Sequence, residues 1–191
     1  MRPPARLRRT YFDCRFGQLH VHQAIPPGGG FDEATALVCI PGAAGLGRFF
    51  RPLLGPLGAD RSIYAPDLPG CGESDAAPAA GASGAGPAEN ALAILDMLDS
   101  LRQRQVDVLT HGSGIYTALS LVAQRPGTLV RRLVFSGAPP EAVAQARGLG
   151  RSHAEIALPV AADGTISPNA SELQFNDLMG FLAPERSEHK K

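Results

Sequence analysis

Four short runs of mainly apolar residues, separated by segments with helical periodicity, constrain the fold of this chain most strongly. The runs span residues 35–40, 62–66, 106–110 and 130–136. Strands that are apolar along their whole length are usually buried on both faces, as happens when helices cover both sides of a parallel sheet. Because such runs alternate with helices, the chain is predicted to be an α/β protein with a mostly parallel sheet flanked by helices.

Two helices and an N-terminal strand pair complete the predicted core. The second helix begins near Pro87, which suits a first helical turn, and extends to about Arg104. Upstream, residues 9–16 and 19–25 alternate partly between apolar and polar side chains, so they are predicted to pair as two strands. The first helix is recognised by its large apolar residues, which are Phe49, Phe50, Leu53, Leu54 and Leu57.

Composition limits the kinds of partner that this chain can have. At 191 residues and 44% hydrophobic content, the chain can bury one sizeable core. Its 18 basic and 18 acidic residues balance, which argues against a nucleic-acid or anionic-membrane partner, and no apolar stretch has transmembrane length. The chain has three cysteines, Cys14, Cys39 and Cys71. Their odd number argues against a disulfide scaffold, and their spacing is not that of a metal site. We therefore expect a cytoplasmic domain that binds a small molecule and holds no metal or cofactor.

The segment Val108–Gly114 runs from an apolar strand into a helix through the turn Thr-His-Gly-Ser-Gly. It resembles the nucleophile elbow of the α/β-hydrolases, small-x-Ser-x-small, in which a tight strand-to-helix turn exposes the serine oxygen. With Gly112 at the apex, the flanking residues are the small Thr110 and Gly114. This alignment puts glycine where the family carries its nucleophile.

A second alignment and a simpler interpretation compete with the first. With Ser113 at the apex, the flanking residues are His111 and Ile115, which are bulky where the turn is most crowded. Taken alone, the segment would be interpreted as a glycine-rich loop in which Ser113 caps the helix N-terminus. The alignment on Gly112 is preferred because its flanking residues are small and because residues 115–126 resemble the family's helix after the elbow. The simpler interpretation is set aside because the resemblance extends well beyond this segment.

The resemblance to α/β-hydrolases covers roughly residues 9–140. Residues 67–74 (DLPGCGES) closely match the family's Asp-x-x-Gly-x-Gly-x-Ser motif, and Pro41-Gly42-Ala43 stands where the family usually has His-Gly-x and its oxyanion loop. In such a turn, Asp67 is expected to accept hydrogen bonds from backbone amides rather than to act as a catalytic acid.

The resemblance implies a truncated α/β-hydrolase fold that lacks the last two strands. Residues 1–8 are expected to form a disordered basic N-terminus, residues 9–140 the hydrolase core with strands one to six, and residues 141–191 a partial lid or irregular tail. Residues 76–88 and those after Pro184 are expected to be disordered as well. The sixth strand would then expose an apolar edge at residues 133–135, through which the chain would self-associate unless residues 156–160 cover it.

The resemblance also implies site residues, and they predict impaired catalysis. The backbone amides of Ala43 and Ser113, next to Gly42, would form an oxyanion hole. Gly112 at the nucleophile position lacks a side chain, so Ser113 would have to serve as a displaced nucleophile. His20 and His22 lie far upstream, so the only histidines late enough to act as the base are His153 and His189, and no acid is identifiable.

Three hypotheses about function follow from these observations. The chain could be a working hydrolase of small ester-like substrates that uses Ser113. It could be a non-catalytic relative that binds a small ligand or a partner through the retained pocket. It could also be a shortened product of a longer hydrolase gene.

Overall fold

A seven-stranded β-sheet forms the centre of the structure, a computed structural model that describes residues 4–29, 34–78, 85–150, 152–160, 166 and 172–183. The strands are β1 (Arg6–Cys14), β2 (Gly17–Ile25), β3 (Ala36–Ile40), β4 (Ile63–Pro66), β5 (Val106–His111), β6 (Val130–Ser136) and β7 (Ser152–Glu155). The helices are α1 (Arg51–Leu57), α2 (Pro87–Ser100), α3 (Gly114–Gln124), α4 (Pro140–Gly148) and α5 (Glu172–Leu182), and a 3-10 turn (Gly47–Phe50) precedes α1.

The strand order β1-β2-β4-β3-β5-β6-β7 makes the sheet mostly parallel. β1 pairs with β2, and β2 pairs with β4, in antiparallel fashion. The five strands from β3 to β7 are all parallel to one another. The carboxyl ends of the parallel strands therefore meet at one edge, where open α/β sheets commonly hold their ligands. The predicted fold class, a mostly parallel sheet flanked by helices, is confirmed.

Two apolar layers sandwich the sheet, because successive strand residues point to opposite faces. Val108 packs into the layer beneath α2, α3 and α4, whereas the next residue, Leu109, packs into the layer beneath α1 and α5. Val134 and Phe135 in β6 divide between the two layers in the same way. This double coverage explains why the central strands are mainly apolar.

Two arginines anchor the carboxyl end of α5. Arg61 is completely buried, and its Nη1 donates a hydrogen bond to the carbonyl oxygen of Leu182 at 3.1 Å. Arg132 Nη1 donates to the carbonyl oxygen of Ala183 at 2.6 Å. Cations at a helix C-terminus satisfy its last carbonyls and complement its dipole. These bonds hold Leu178 and Leu182 of α5 in the apolar layer next to α1.

The helix and strand ends depart from the sequence prediction at several places, among them the start of β1 and the end of α2. The strand expected from residue 9 begins at Arg6, so residues 6–8 of the expected disordered N-terminus are paired with β2. α2 ends at Ser100 rather than near Arg104, because Leu101 caps the helix and Arg102 adopts a left-handed conformation with φ +55°. Residues 1–3, 79–84 and 184–191, on which disorder was partly or wholly predicted, lie outside the described residues.

The region expected to be a lid or tail adds a strand to the sheet. β7 runs parallel to β6, with Leu133 opposite His153 and Phe135 opposite Glu155. The Ile156 amide then donates to the Phe135 carbonyl at 2.9 Å. The edge of the sixth strand, which was predicted to be exposed, is therefore covered by β7 at residues 132–135. Backbone pairing, rather than an apolar pattern in Ser152–Glu155, holds this strand in place.

Candidate functional site

The turn between β5 and α3 carries its unusual backbone conformation at Gly112. Gly112 has φ +52°, whereas Ser113 is right-handed helical, with φ −67° and ψ −10°. The Gly112 amide donates to the Ser136 carbonyl at the end of β6 at 2.8 Å. Ser113 is exposed and its side chain makes no capping hydrogen bond, so the simpler interpretation of Ser113 as a helix cap does not describe this turn.

The two residues that flank Gly112 by two positions lie in crowded surroundings. Thr110 is fully buried. A Cβ atom on Gly114 would lie 2.6 Å from the carbonyl oxygens of both Ile40 and Pro41, which is closer than a side chain can approach backbone. At Gly112 a Cβ would meet nothing within 4 Å. The turn is thus crowded at Thr110 and Gly114, where an elbow requires small residues. It has free space at Gly112, the position that would carry a nucleophile.

The loop after β3 touches the backbone of this turn. A Cβ atom on Gly42 would lie 2.9 Å from the His111 carbonyl oxygen and 3.6 Å from the Ser113 nitrogen. The loop is held by a hydrogen bond from the Gly45 amide to the Gly42 carbonyl at 2.8 Å. The structure therefore places Gly42 against the backbone of His111 and Ser113.

A cavity of about 300 Å³ opens beside these residues. Gly42, Ala43 and Ser113 all lie in its wall, and Asn90 and Thr117 face it from α2 and α3. Asn90 is 7% exposed, and its Oδ1 has no hydrogen-bond partner among the described residues. The cavity volume is at the lower end of the range for small-molecule sites, and the Asn90 oxygen supplies a polar group to orient a ligand.

His111 lies next to Gly112 but packs against a neighbouring aromatic ring. Its imidazole lies 4.4 Å from the Phe49 ring, measured between centroids. Burial lowers the pKa of His111 below its ordinary value, so the ring is neutral at pH 7. Its buried Nδ1 has no partner within the described part of the chain.

His153 lies in β7 and is not brought to the elbow. In the sheet register, His153 stands opposite Leu133, which in turn stands opposite Val108. Val108 precedes His111 by three residues, which places this row about 10 Å along the strands from the turn. The His153 ring stacks on Phe135, with centroids 6.2 Å apart. His189 lies outside the described residues.

Asp67 organises the turn after β4, as predicted. Its Oδ1 accepts a hydrogen bond from the Gly47 amide at 2.7 Å, and its Oδ2 accepts one from the Glu73 amide at 3.2 Å. Sequence reasoning missed a third bond, from His20 Nδ1 to Asp67 Oδ2 at 2.8 Å. The sequence feature that could have indicated it is the pair His20 and His22. These residues are two positions apart in β2, so their side chains lie on the same face of the strand.

Solved structures of several hydrolases are similar to this chain. An N-acyl homoserine lactonase, AidH, in a serine-to-glycine mutant complexed with N-hexanoyl homoserine lactone, is 27% identical, with a TM-score of 0.59 over 72% of this chain and 49% of that one. The epoxide hydrolase CorEH is 17% identical, with a TM-score of 0.59 over 91% of this chain and 51% of that one. Haloalkane dehalogenase DbeA from Bradyrhizobium elkani is 21% identical, with a TM-score of 0.57 over 70% and 42%.

The chain spans about half the length of these structures, or less. No curated protein sequence matches it significantly. Among the described residues, no helix is both long enough and apolar enough to cross a membrane. A sequence model described as "Alpha/beta hydrolase family" matches residues 37–188, which is most of the chain. The match includes the β3 loop, the Asp67 turn and the elbow, and the chain therefore belongs to the alpha/beta hydrolase family.

Proposed function

We propose that this chain binds a small ester-like or lactone-like molecule at the elbow, with impaired catalysis because Gly112 occupies the nucleophile position. The observation that carries the proposal is the positive φ of Gly112, with small or buried residues two positions to either side. In the family, the residue at this apex supplies the attacking oxygen. A glycine keeps the turn and removes the oxygen.

The placement of the other candidate residues supports the same conclusion. A serine attacks only when an oriented histidine takes its proton. His153 is stacked on Phe135 in β7, and the neutral ring of His111 is packed against Phe49. His153 also lies in a row of the sheet about 10 Å from the elbow turn. Ser113 as a displaced nucleophile therefore lacks a base.

The features that bind an acyl oxygen do not depend on the missing side chain. The amides of Ala43 and Ser113 belong to the backbone, and Gly42 brings their two segments into contact. The lactonase structure supports the ligand class, since that protein is complexed with an acyl lactone while a serine is replaced by glycine. We therefore propose ligand binding without turnover.

Turnover and ligand binding by the wild type and by Gly112→Ser test this proposal. We expect no hydrolysis of short-chain nitrophenyl esters or N-hexanoyl homoserine lactone by the wild type, but a rise in its Tm with the lactone. In Gly112→Ser no atom lies within 4 Å of the new Cβ, but the positive φ strains the backbone by an amount on the order of 1–3 kcal/mol. This variant should remain inactive without a base. Wild-type hydrolysis that is lost in Ser113→Ala would overturn the proposal, and so would serine-dependent activity in Gly112→Ser.

We also propose a cytoplasmic location for the chain. Cys14, Cys39 and Cys71 are all free thiols in the structure, as is usual in reducing compartments. Burial raises the pKa of the Cys71 thiol near the elbow cavity, which keeps it protonated and unreactive at neutral pH. Fractionation of cells expressing the native protein should recover it with cytoplasmic markers, and recovery in a membrane or secreted fraction would contradict this location.

A further inference from the structure

A second and larger cavity, of about 730 Å³, shares no wall residue with the elbow cavity. Its wall is built from β1, β2, the segment leading into α1, and the turn after β4. The volume is that of a typical small-molecule site. Nothing in the proposed elbow chemistry uses this cavity.

Positive charge predominates in the wall of this cavity. Arg8, Arg9, Arg48 and Arg51 line it, against the two acidic residues Asp67 and Glu73. Both acids are already engaged, Asp67 with backbone amides and His20, and Glu73 with Arg9 at 3.5 Å. Arg48 and Arg51 are exposed and have no carboxylate within ion-pair distance among the described residues. Their guanidinium groups are therefore available to an external anion.

Two histidines extend the polar part of the wall. His20 is 2% exposed, its Nδ1 is bonded to Asp67, and its buried Nε2 has no partner in the described structure. The half-buried His22 ring lies 4.9 Å from the His20 ring. A buried group without a partner is rare and calls for a ligand or another explanation.

Apolar side chains form another part of the wall. Leu7, Leu46 and Leu54 line the cavity together with the charged residues, and Leu7 is 52% exposed. Leucines beside free guanidinium groups suit a molecule with an apolar body and an anionic head. We propose that this cavity is a binding site for a small organic oxyanion, a phosphate or carboxylate that carries a short alkyl chain, held by Arg48 and Arg51.

A divalent cation fits this cavity less well. His20, His22 and Asp67 each offer one atom, and these atoms lie within 4.8 Å of one another. The Asp67 oxygens, however, already accept three hydrogen bonds, and four arginines line the same wall. Repulsion between a cation and these guanidinium groups works against metal binding.

Calorimetric titration with simple probes tests the proposal. Hexyl phosphate and hexanoate are the candidate ligands, inorganic phosphate tests the head alone, and hexylammonium tests the apolar body with the opposite charge. We expect hexyl phosphate or hexanoate to bind more tightly than inorganic phosphate, and hexylammonium not to bind. In Arg48→Gln/Arg51→Gln, the affinity should fall about tenfold or more, since hydrogen bonds to charged groups are the strong ones.

The control variant is Arg104→Gln, at an exposed arginine far along the chain in a bend after α2. Its affinity for the probes should equal that of the wild type, and both variants should keep the wild-type Tm within a few degrees. The proposal is overturned if none of the oxyanions binds the wild type. It is also overturned if the double variant binds them unchanged, or if hexylammonium or zinc alone binds in their place.

Discussion

Arg61 and Leu182 are joined by a hydrogen bond that links the start of β4 to the end of α5, across 121 residues of sequence. The guanidinium is wholly buried and is also 3.0 Å from Asp60 Oδ1 and 3.7 Å from Asp107 Oδ2. A buried cation is tolerated only when it is paired and hydrogen-bonded. Both conditions are met here, and the helix end gains a donor for its last carbonyls.

Replacement of Arg61 should destabilise the protein through this contact. Arg61→Met keeps the apolar stem but removes the donor to Leu182, while Asp107 retains Arg131 at 2.5 Å. We expect a loss of about 2–3 kcal/mol in the free energy of unfolding, measured by urea denaturation. Arg104→Met, at an exposed position, should change it by no more than about 0.5 kcal/mol. Equal values for the two variants would show that the bond to α5 contributes nothing.

Gly114 is predicted to be intolerant of any side chain. Gly114→Ala would place a Cβ 2.6 Å from two backbone oxygens, and neither Ile40 nor Pro41 can move without disturbing β3. The free energy of unfolding should fall by about 2–3 kcal/mol. Gly55→Ala is the matched control within α1, where no atom lies within 4 Å, and it should stabilise by about 0.5–1 kcal/mol. Similar stability of the two variants in urea would contradict the close approach.

His111 should make the stability depend on pH between mildly acidic and neutral conditions. Burial lowers its pKa below 6.5, so the unfolded chain binds the proton more readily than the folded one. The stabilisation is fully present above pH 6.5 and is lost as the pH falls through the folded pKa. His111→Phe should therefore lose less stability than the wild type between pH 7.5 and pH 5. Part of the slope should persist, because burial lowers the pKa of His22 as well. Identical slopes would refute this account of His111.

Arg15 and Asp96 tie the β1–β2 turn to α2. Arg15 donates to Asp96 through its backbone amide, Nε and Nη2, at 2.8–2.9 Å. The hydrogen bonds from Arg15 lower the pKa of Asp96 below 3.8, so this stabilisation is present above pH 3.8 and is lost as the pH falls through the folded value. Since both groups are partly exposed, Arg15→Gln should cost only about 0.5–1 kcal/mol at pH 7.

The same comparison at low pH separates the charge pair from simple packing. Urea denaturation of wild type and Arg15→Gln at pH 7, and again below pH 3, should give a difference that shrinks in acid. Arg104→Gln should show no difference at either pH. A penalty for Arg15→Gln that stays constant with pH would mean that Asp96 does not carry the effect.

An element of the structure could be predicted when the residues of that element alone carry its pattern. The β5 and β6 strands are mainly apolar and are buried at all but one position each. β6 was predicted with its observed bounds because burial on both faces leaves a pattern in the sequence. β7 could not be found in this way, since Ser152–Glu155 is mostly polar and is defined by its pairing with β6. Pairing of this kind depends on a second strand, which the sequence of the segment itself does not identify.

In the candidate site, too, only the residues with a local sequence pattern could be predicted. Gly112 could be singled out from the sequence because the crowding of an elbow restricts residues two positions away, and its φ is positive in the structure. That it stands at the nucleophile position stays a prediction. The cavity lined by Arg48, Arg51 and His20 was not predictable, because its residues come from separate elements that meet only in the folded chain. The Arg61 bond to Leu182 escaped prediction for the same reason.

The vacant volume beside the Gly112 Cα has a consequence for protein engineering. Glycine adopts the positive φ of this turn freely, and no atom lies within 4 Å of the place where a Cβ would stand. A serine, cysteine or aspartate introduced there would meet no neighbouring atom and would carry only the backbone strain of the positive φ, on the order of 1–3 kcal/mol. Reactivity would still have to be installed separately, through a proton acceptor built within reach.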